Sequence, residues 1–200
     1  MNWTINVKMI TIGVVSVLAL LILAGITFFS GIGVQNSLAT NMERQSQIAE
    51  VNKMRLSTTR LMLTAMDSIV DKDEGKVQPR RLDDMDAAIK TLRGGAVKLA
   101  RIADTRKEKR LVRKIAAQIE SLAKDIRVDL VRAVGIRASP EFFAKLDDAL
   151  DKSGAGLDRN LAAYEESVMR ELAGATEDTT GSMQVALVGV GVTFAIALVV

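Results

Sequence analysis

Residues 10–29, ITIGVVSVLALLILAGITFF, form an apolar stretch that decides how the rest of the chain is organised. The stretch contains no charged residue and no proline. A helix of about 20 residues is ~30 Å long, which matches the hydrocarbon core of a bilayer. A second apolar stretch, MQVALVGVGVTFAIALVV, occupies residues 183–200. We therefore predict transmembrane helices at residues 10–29 and 183–200, on either side of one polar segment at residues 30–182.

A cleaved signal peptide is the alternative interpretation of the first stretch, because Lys8 precedes an apolar run. The run is longer than a usual signal core, and no clear A-x-A cleavage site precedes the polar segment. The next basic residue after Lys8 is Arg44, well beyond the apolar run. The positive-inside rule therefore favours a cytoplasmic N-terminus at residues 1–9, with residues 30–182 on the other side of the membrane.

The composition excludes several classes of function. The 200 residues carry a formal charge of +3 and only 4% are aromatic, with acidic and basic residues interspersed. A nucleic-acid-binding protein needs a one-sided basic surface, so we expect no nucleic-acid partner. Cysteine and histidine are absent, which excludes disulfides, Cys/His metal sites and His-dependent catalytic triads. We predict no enzymatic activity, no cofactor and no metal site.

Helix start and stop signals divide the polar segment, which we predict to be all-α. Pro79 suits the first turn of a helix after a polar loop at residues 71–78. Thr105 and Glu108 have the spacing of a capping box, and Gly135 is a stop signal. Residues 139–141, Ser-Pro-Glu, combine an N-cap, a first-turn proline and an acid near the positive end of a helix.

The three later helices carry apolar seams with alternating steps of three and four residues. Their predicted members are Leu82, Met85, Ile89, Leu92, Ala96, Leu99 and Ala103; Val112, Ile115, Ile119, Leu122, Ile126, Leu130 and Ala133 or Val134; and Phe143, Leu146, Leu150, Ser153, Leu157, Leu161, Tyr164, Val168, Leu172 and Ala175. Gly94 and Gly95 interrupt the first of these seams, which indicates either a close helix approach or a local weakness.

The first helix carries two neighbouring stripes, so we expect it to pack on two sides. One is a heptad seam of Leu38, Met42, Gln45, Ala49, Asn52, Leu56, Thr59, Leu63, Met66 and Val70. The other comprises Ile48, Val51, Arg55, Thr58, Met62, Ala65 and Ile69. One side would face the helix's own bundle, and the other would face a second copy of the chain. We expect Met62 and Ile69 to lie at that contact and Lys53 to lie outside it.

The lengths of the helices and of their connections predict an up-down-up-down four-helix bundle. The first and last helices are longer than the inner two and join the predicted spans. The loops at residues 71–78 and 135–139 would lie at the far tip, and the turn at residues 104–105 would point back toward the membrane.

Arg55 and Arg60 are the strongest candidates for a binding site. They flank the heptad seam on opposite sides, so one helix cannot direct both side chains at one point. Across a two-fold dimer they converge, and arginine forks suit a carboxylate. The structural alternative is that both are solvated or paired with neighbours such as Glu50 or Asp67.

The order of long, short, short and long helices between two spans resembles the four-helix-bundle sensor domain of bacterial methyl-accepting chemotaxis receptors. Residues 55–67, RLSTTRLMLTAMD, are similar to the Arg-x4-Arg-x3-Arg pattern of the amino-acid-sensing members. Arg55 and Arg60 match the first two arginines, and Thr64 stands where the third would be. The pair Phe142-Phe143 resembles an aromatic pair of the family, although Ala-Lys-Leu-Asp replaces the Gln-Pro-Thr that follows it there.

The resemblance implies a homodimeric chemoreceptor sensory module in the inner membrane, with its sensor domain in the periplasm. It implies that the dimer forms through the first helix, and that a small-molecule ligand, of anionic type if the arginines hold it, binds at the interface. The predicted ligand-binding residues are Arg55, Arg60, Thr64, Thr59, Phe142 and Phe143. Binding would shift the last helix against the first and signal to a kinase-coupling region expected after Val200.

Other outputs and candidate sites remain open. The same sensor would also suit a histidine kinase or a cyclic-dinucleotide enzyme, and a membrane-tethered helical interaction protein without a ligand is a further alternative. Asp83, Asp84 and Asp86 form either an acidic site or a solvated face. The basic run at residues 106–110 either contacts lipid headgroups or is a solvated helix start.

Overall fold

The computed structural model describes the backbone of residues 5–199, the side chains of residues 41–174 and a few side chains on either side of that range. Its helices are α1 (Ile5–Val70), α2 (Pro79–Ile102), α3 (Arg106–Lys124), α4 (Val131–Gly135) and α5 (Pro140–Val199). A 3₁₀ turn, Lys72–Glu74, follows α1, and a π-helical segment, Asp125–Leu130, joins α3 to α4. The described backbone contains no strand, so the prediction of an all-α fold is confirmed.

The three predicted helix starts are confirmed, and those of α3 and α5 carry capping hydrogen bonds. Pro79 occupies the first turn of α2. The Thr105 hydroxyl accepts a hydrogen bond from the backbone N–H of Glu108 at 3.2 Å, and the Glu108 carboxylate accepts one from the backbone N–H of Asp104 at 3.2 Å. The Ser139 hydroxyl accepts from the backbone N–H of Phe142 at 3.3 Å. Local sequence signals therefore set where α2, α3 and α5 begin.

The third predicted helix ends at Gly135, as expected, but a different residue adopts the left-handed conformation that closes it. Gly135 is the last residue of α4, yet the left-handed residue is Arg137, with φ of 50°. The backbone N–H groups of Arg137 and Ala138 donate to the carbonyls of Val134 and Ala133, at 3.2 and 2.9 Å. These two bonds form the pattern in which a left-handed residue closes a helix, a position that usually favours glycine.

The π-helical segment between α3 and α4 reflects the spacing of buried residues in the sequence. Leu122, Ile126 and Leu130 of the predicted seam are all fully buried and follow one another in two steps of four residues. Two consecutive steps of four add one residue to the three-four alternation. A π-helical turn accommodates an extra residue and keeps these side chains on the buried face.

The chain divides into two compact units. One unit comprises Met1–Glu43 and Glu171–Val200, and it contains both predicted spans. Most side chains of residues 10–29 and 183–200 lie outside the described residues, so the two spans stay a prediction. Among the residues that were described, no helical stretch is long and apolar enough to cross a membrane.

The other unit, Arg44–Arg170, contains a core to which all five α-helices and the π-helical segment contribute. The seams predicted for the three later helices are confirmed as far as residue 168. Their fully buried members include Met85, Leu92, Leu99, Ile115, Leu122, Ile126, Leu130, Leu150, Leu157, Leu161, Tyr164 and Val168.

The buried face of α1 differs from both stripes predicted for this helix. Its core positions are Arg44, Gln47, Val51, Met54, Thr58, Leu61, Ala65 and Ser68, all of them buried. Among the described residues, the predicted heptad seam lies on the opposite side and is exposed at Leu56, Leu63 and Val70. Met62 and Ile69 are half-buried against the core. These two residues therefore border the chain's own core, and their expected contact with a second copy stays a prediction.

Side-chain contacts show the direction in which neighbouring helices run. Arg44 contacts Asp104 at 2.7 Å and Glu50 contacts Lys98 at 3.0 Å, so α1 and α2 are antiparallel. Ion pairs of Arg93 with Glu120 and of Asp86 with Arg127 show that α2 is antiparallel to α3 and the π-helical segment that follows it. The complete up-down-up-down arrangement between two spans stays a prediction.

Gly95 allows α1 and α2 to approach each other closely. A Cβ atom at Gly95 would lie 2.5 Å from Sδ of Met54 and 3.2 Å from Oε1 of Glu50, whereas a Cβ atom at Gly94 would meet open space. Close helix approach is thus the correct interpretation for Gly95. Gly94 makes no such approach, so the pair does not act as one motif.

Candidate functional site: a groove between α1 and α5

A groove of about 450 Å³ lies between α1 and α5 in the Arg44–Arg170 unit. Its lining residues are Arg55, Thr58, Thr59, Met62, Leu63, Asp151, Gly154, Ala155 and Asp158. The α5 wall is low because Gly154 and Ala155 carry almost no side chain. A Cβ atom at Gly154 would already lie 3.1 Å from Sδ of Met62, so Met62 packs over the glycine. The groove therefore depends on small residues at adjacent positions of α5.

Arg55 lies at one end of the groove and is held by two carboxylates of the same chain. Its Nε donates to Oδ1 of Asp158 at 2.8 Å, and its Nη1 donates to Oε2 of Glu165 at 3.4 Å. The hydrogen bond and the charge of Asp158 raise the pKa of Arg55 above its already high ordinary value. The side chains of Arg55, Asp158 and Glu165 are 40%, 48% and 20% exposed, so the cluster is only partly shielded from water.

Arg55 is therefore ion-paired, as the structural alternative expected, but its partners are not the expected residues. Ion pairing was expected with neighbours such as Glu50 or Asp67 on the same helix. Glu50 instead pairs with Lys98 of α2. The partners of Arg55 lie on α5, 103 and 110 residues further along the chain.

The structure separates the other predicted first-helix site residues. Thr59 lines the groove, while Arg60 and Thr64 do not. The hydroxyls of Thr59 and Thr64 donate to the backbone carbonyls of Arg55 and Arg60, one turn earlier, at 3.2 and 2.9 Å. Arg60 is exposed, and it does not point to the same place as Arg55 within one chain.

Phe142 and Phe143 lie at the start of α5, away from the groove. Phe143 is buried, with the Lys72 ammonium 5.8 Å from its ring centroid, and Phe142 is exposed. Fifteen residues separate Phe143 from Asp158, which is ~22 Å along a helix. The structure therefore does not bring the aromatic pair together with Arg55. Their role as ligand contacts stays a prediction.

The carboxylates of α5 beside the groove and Arg55 were not among the site residues predicted from the sequence. Asp151, Asp158 and Glu165 follow one another at intervals of seven residues, so they lie along one side of the helix. This heptad of acids was visible in the sequence. Only the packing of α5 against α1 shows that Asp158 and Glu165 face Arg55.

A second polar cluster, also missed, joins α1 to the turn between α2 and α3. Arg44 is almost completely buried and bonds to Asp104 at 2.7 Å and to Gln47 at 3.0 Å, while Gln47 donates to the carbonyl of Ile102 at 3.3 Å. The fully buried Glu108 lies 3.7 Å from Arg44. Burial acts to raise the pKa of Asp104, but hydrogen bonds with Glu108 and Arg44 outweigh it and lower that pKa.

The remaining sequence candidates lie on the surface. Asp83, Asp84 and Asp86 are exposed, and Asp86 pairs with Arg127 at 2.7 Å. This arrangement agrees with the interpretation as a solvated face. The four basic residues of the run at 106–110 are exposed, whereas Glu108 within it is buried.

Comparisons with known proteins support the fold. No protein-family model matches the chain, and no curated protein matches its sequence. A solved structure described as the periplasmic sensor domain of a sensor histidine kinase has a TM-score of 0.58 and 19% identity, over 70% of this chain and 94% of that one. Another, described as the XylFII-LytSN complex, has a TM-score of 0.56 and 9% identity, over 63% and 98%. At these identities the likeness shows that the fold is shared.

Proposed function

We propose that the chain is the sensor module of a transmembrane receptor. In this proposal residues 30–182 form a periplasmic four-helix bundle between spans at residues 10–29 and 183–200. The observation that carries the proposal is the similarity to a periplasmic sensor domain, which aligns with 70% of the chain. The apolar stretches supply the membrane anchors, and the groove between α1 and α5 supplies a place for a small ligand.

The proposed output is that of a chemotaxis receptor, because the first-helix pattern around Arg55 and Arg60 resembles that family. A sensor histidine kinase is the second candidate, since the similar solved domain is described as part of one. In both cases a ligand that bridges α1 and α5 would favour one relative position of these helices. A helix shift of 1–2 Å, about the size seen in switching proteins, then carries the signal across the membrane.

We also propose that the receptor is a parallel homodimer through α1. Leu56, Leu63 and Val70 are 53%, 61% and 73% exposed and lie seven residues apart on the side opposite the core. Seven-residue spacing of apolar residues is the pattern of a two-helix seam. Burying such a side chain stabilises a contact by about 1.5–3 kcal/mol, so burial of three in each copy would stabilise a dimer substantially.

A ligand screen on the full chain tests the sensor function. The chain is reconstituted in lipid nanodiscs, and its thermal unfolding is followed in the presence of a metabolite library. A receptor should show a saturable rise of the unfolding temperature with at least one compound, because a ligand stabilises the state that binds it. A helical interaction protein would show no saturable rise with any compound, and that result would overturn the proposal.

The output is tested separately by joining the chain to the cytoplasmic part of a chemotaxis receptor and to that of a histidine kinase. The compound found in the screen should change kinase activity in the fusion that matches the native output. A compound that binds but changes neither output would contradict the receptor role.

A further inference from the structure

The charges around the groove do not fit an anionic ligand. Three charged residues line it, namely Arg55, Asp151 and Asp158, and their sum is negative. Arg55 already contacts Asp158 and Glu165, so its cationic fork is occupied. An incoming carboxylate would have to compete with both acids for Arg55, and it would meet the like charge of Asp151.

Asp151 is the carboxylate that is available to a ligand. It lines the groove and is exposed, and its side chain makes no hydrogen bond or ion pair with the described residues. It lies seven residues before Asp158, and therefore about two helical turns, or ~10 Å, along α5. Gly154 and Ala155 lie between them, so no larger side chain separates the two acids along the groove.

The remaining lining is apolar or of hydroxyl type. Met62 and Leu63 provide the α1 side, and Ala155 provides the α5 side. The volume of about 450 Å³ falls in the range of small-molecule sites, which is roughly 300–1,000 Å³. A ligand suited to these walls has a compact apolar body and a positive charge.

We propose that the groove binds a small organic ammonium ion, with its charged group at Asp151 and its apolar body against Met62 and Ala155. The biological meaning of this binding depends on the proposed sensor function, but the binding itself does not. Arg55 then acts as an internal cation that holds Asp158 at the far end of the groove.

The test uses three probes of similar shape on the full chain in nanodiscs of zwitterionic lipid. The probes are 2-phenylethylammonium, 3-phenylpropanoate and 2-phenylethanol, and empty nanodiscs correct for partition into lipid. Binding is measured by ligand-observed NMR titration. The ammonium ion should bind saturably and about 5- to 10-fold more tightly than the alcohol, as about 1 kcal/mol from an exposed charge pair implies. The carboxylate should bind more weakly than the alcohol.

Two pairs of variants locate the site. Asp151→Asn should remove most of the preference for the ammonium ion, while Asp148→Asn, an exposed acid of α5 outside the groove, should leave it unchanged. Ala155→Leu should fill the groove and abolish saturable binding, while Ala149→Leu on an exposed part of α5 should not. If Ala155→Leu does not fold, the aspartate pair still decides the outcome.

The proposal is overturned if the carboxylate binds as tightly as the ammonium ion, or if binding survives both groove variants. Failure of the sensor function gives a different result. In that case the ammonium ion binds as described but no fusion protein responds to it. Conversely, a fusion that responds to another compound while the ammonium ion does not bind would leave the sensor function standing and remove this site.

Discussion

Gly94 and Gly95 are neighbours on α2 whose missing Cβ atoms face different surroundings, and they predict opposite effects of the same substitution. A Cβ atom at Gly94 would meet open space. At Gly95 it would lie 2.5 Å from Sδ and 2.6 Å from Cγ of Met54. Met54 is fully buried, so its side chain has little room to move away.

The magnitudes follow from two opposing terms. Alanine is more favourable than glycine inside a helix by roughly 0.5–1 kcal/mol, and both variants gain this amount. At Gly95 the new methyl group would come about 1 Å inside the normal contact distance of ~3.5–4.0 Å. Inserting a methyl group into a filled core costs about 1–3 kcal/mol. We therefore expect Gly94→Ala to be stabilised by up to ~1 kcal/mol, and Gly95→Ala to be destabilised by up to ~2.5 kcal/mol.

The assay is thermal unfolding of the full chain in nanodiscs, followed by far-UV circular dichroism. Each kcal/mol corresponds to roughly 2–4 °C for a chain of this size. Combining Gly95→Ala with Met54→Ala should cost less than the sum of the two single changes, because the new methyl group occupies part of the space that Met54 leaves. Equal stabilisation by both glycine substitutions would refute the close approach of α1 and α2 at Met54.

Four further predictions concern the dimer, the ion pairs and the topology. Leu63→Cys should form disulfide-linked dimers in membranes, whereas Met62→Cys should form far fewer, because a disulfide requires Cα atoms within ~7 Å. Arg55→Ala should lower the free energy of unfolding without ligand by no more than ~1 kcal/mol, because the ion pair is half-exposed. The pKa of Asp104 is lower in the folded chain than in the unfolded chain. The ionised Asp104 therefore stabilises the fold above its unfolded pKa, and this stabilisation is lost as the pH falls through the folded pKa. Asp104→Asn should accordingly reduce the loss of stability below about pH 4. A reporter enzyme that is active only in the cytoplasm should be silent when fused after Val70.

Each of these predictions has an outcome that contradicts it. Equal cross-linking at positions 62 and 63 would remove the proposed seam. An Arg55→Ala chain that is more stable than the parent would mean that the arginine is a strained binding group, as the anionic-ligand hypothesis expects. An unchanged acid unfolding profile for Asp104→Asn would show that its contacts contribute nothing to stability. Strong reporter activity after Val70 would reverse the proposed orientation.

The sequence by itself determined the helix starts and the core faces of the later helices. Pro79, Thr105 and Ser139 act on backbone groups within a few residues, so their effects can be read locally. The seams of the three later helices were predictable because each of these helices has a single apolar side. The helix-internal position of Gly95 was also visible, although its contact with Met54 was not.

Only the tertiary structure decided which side of α1 faces the core and which residues surround Arg55. Both stripes of α1 repeat with steps of three and four, so periodicity alone does not rank them. Packing against α2 and α5 buries a row that matches neither predicted stripe, since it includes Met54 and Leu61, and it leaves the seam that includes Leu63 exposed. Arg55 meets Asp158 across 103 residues of sequence, and such a pairing depends on the rotation and offset of two packed helices. The charge of the groove, and hence the ligand it suits, follows from that packing.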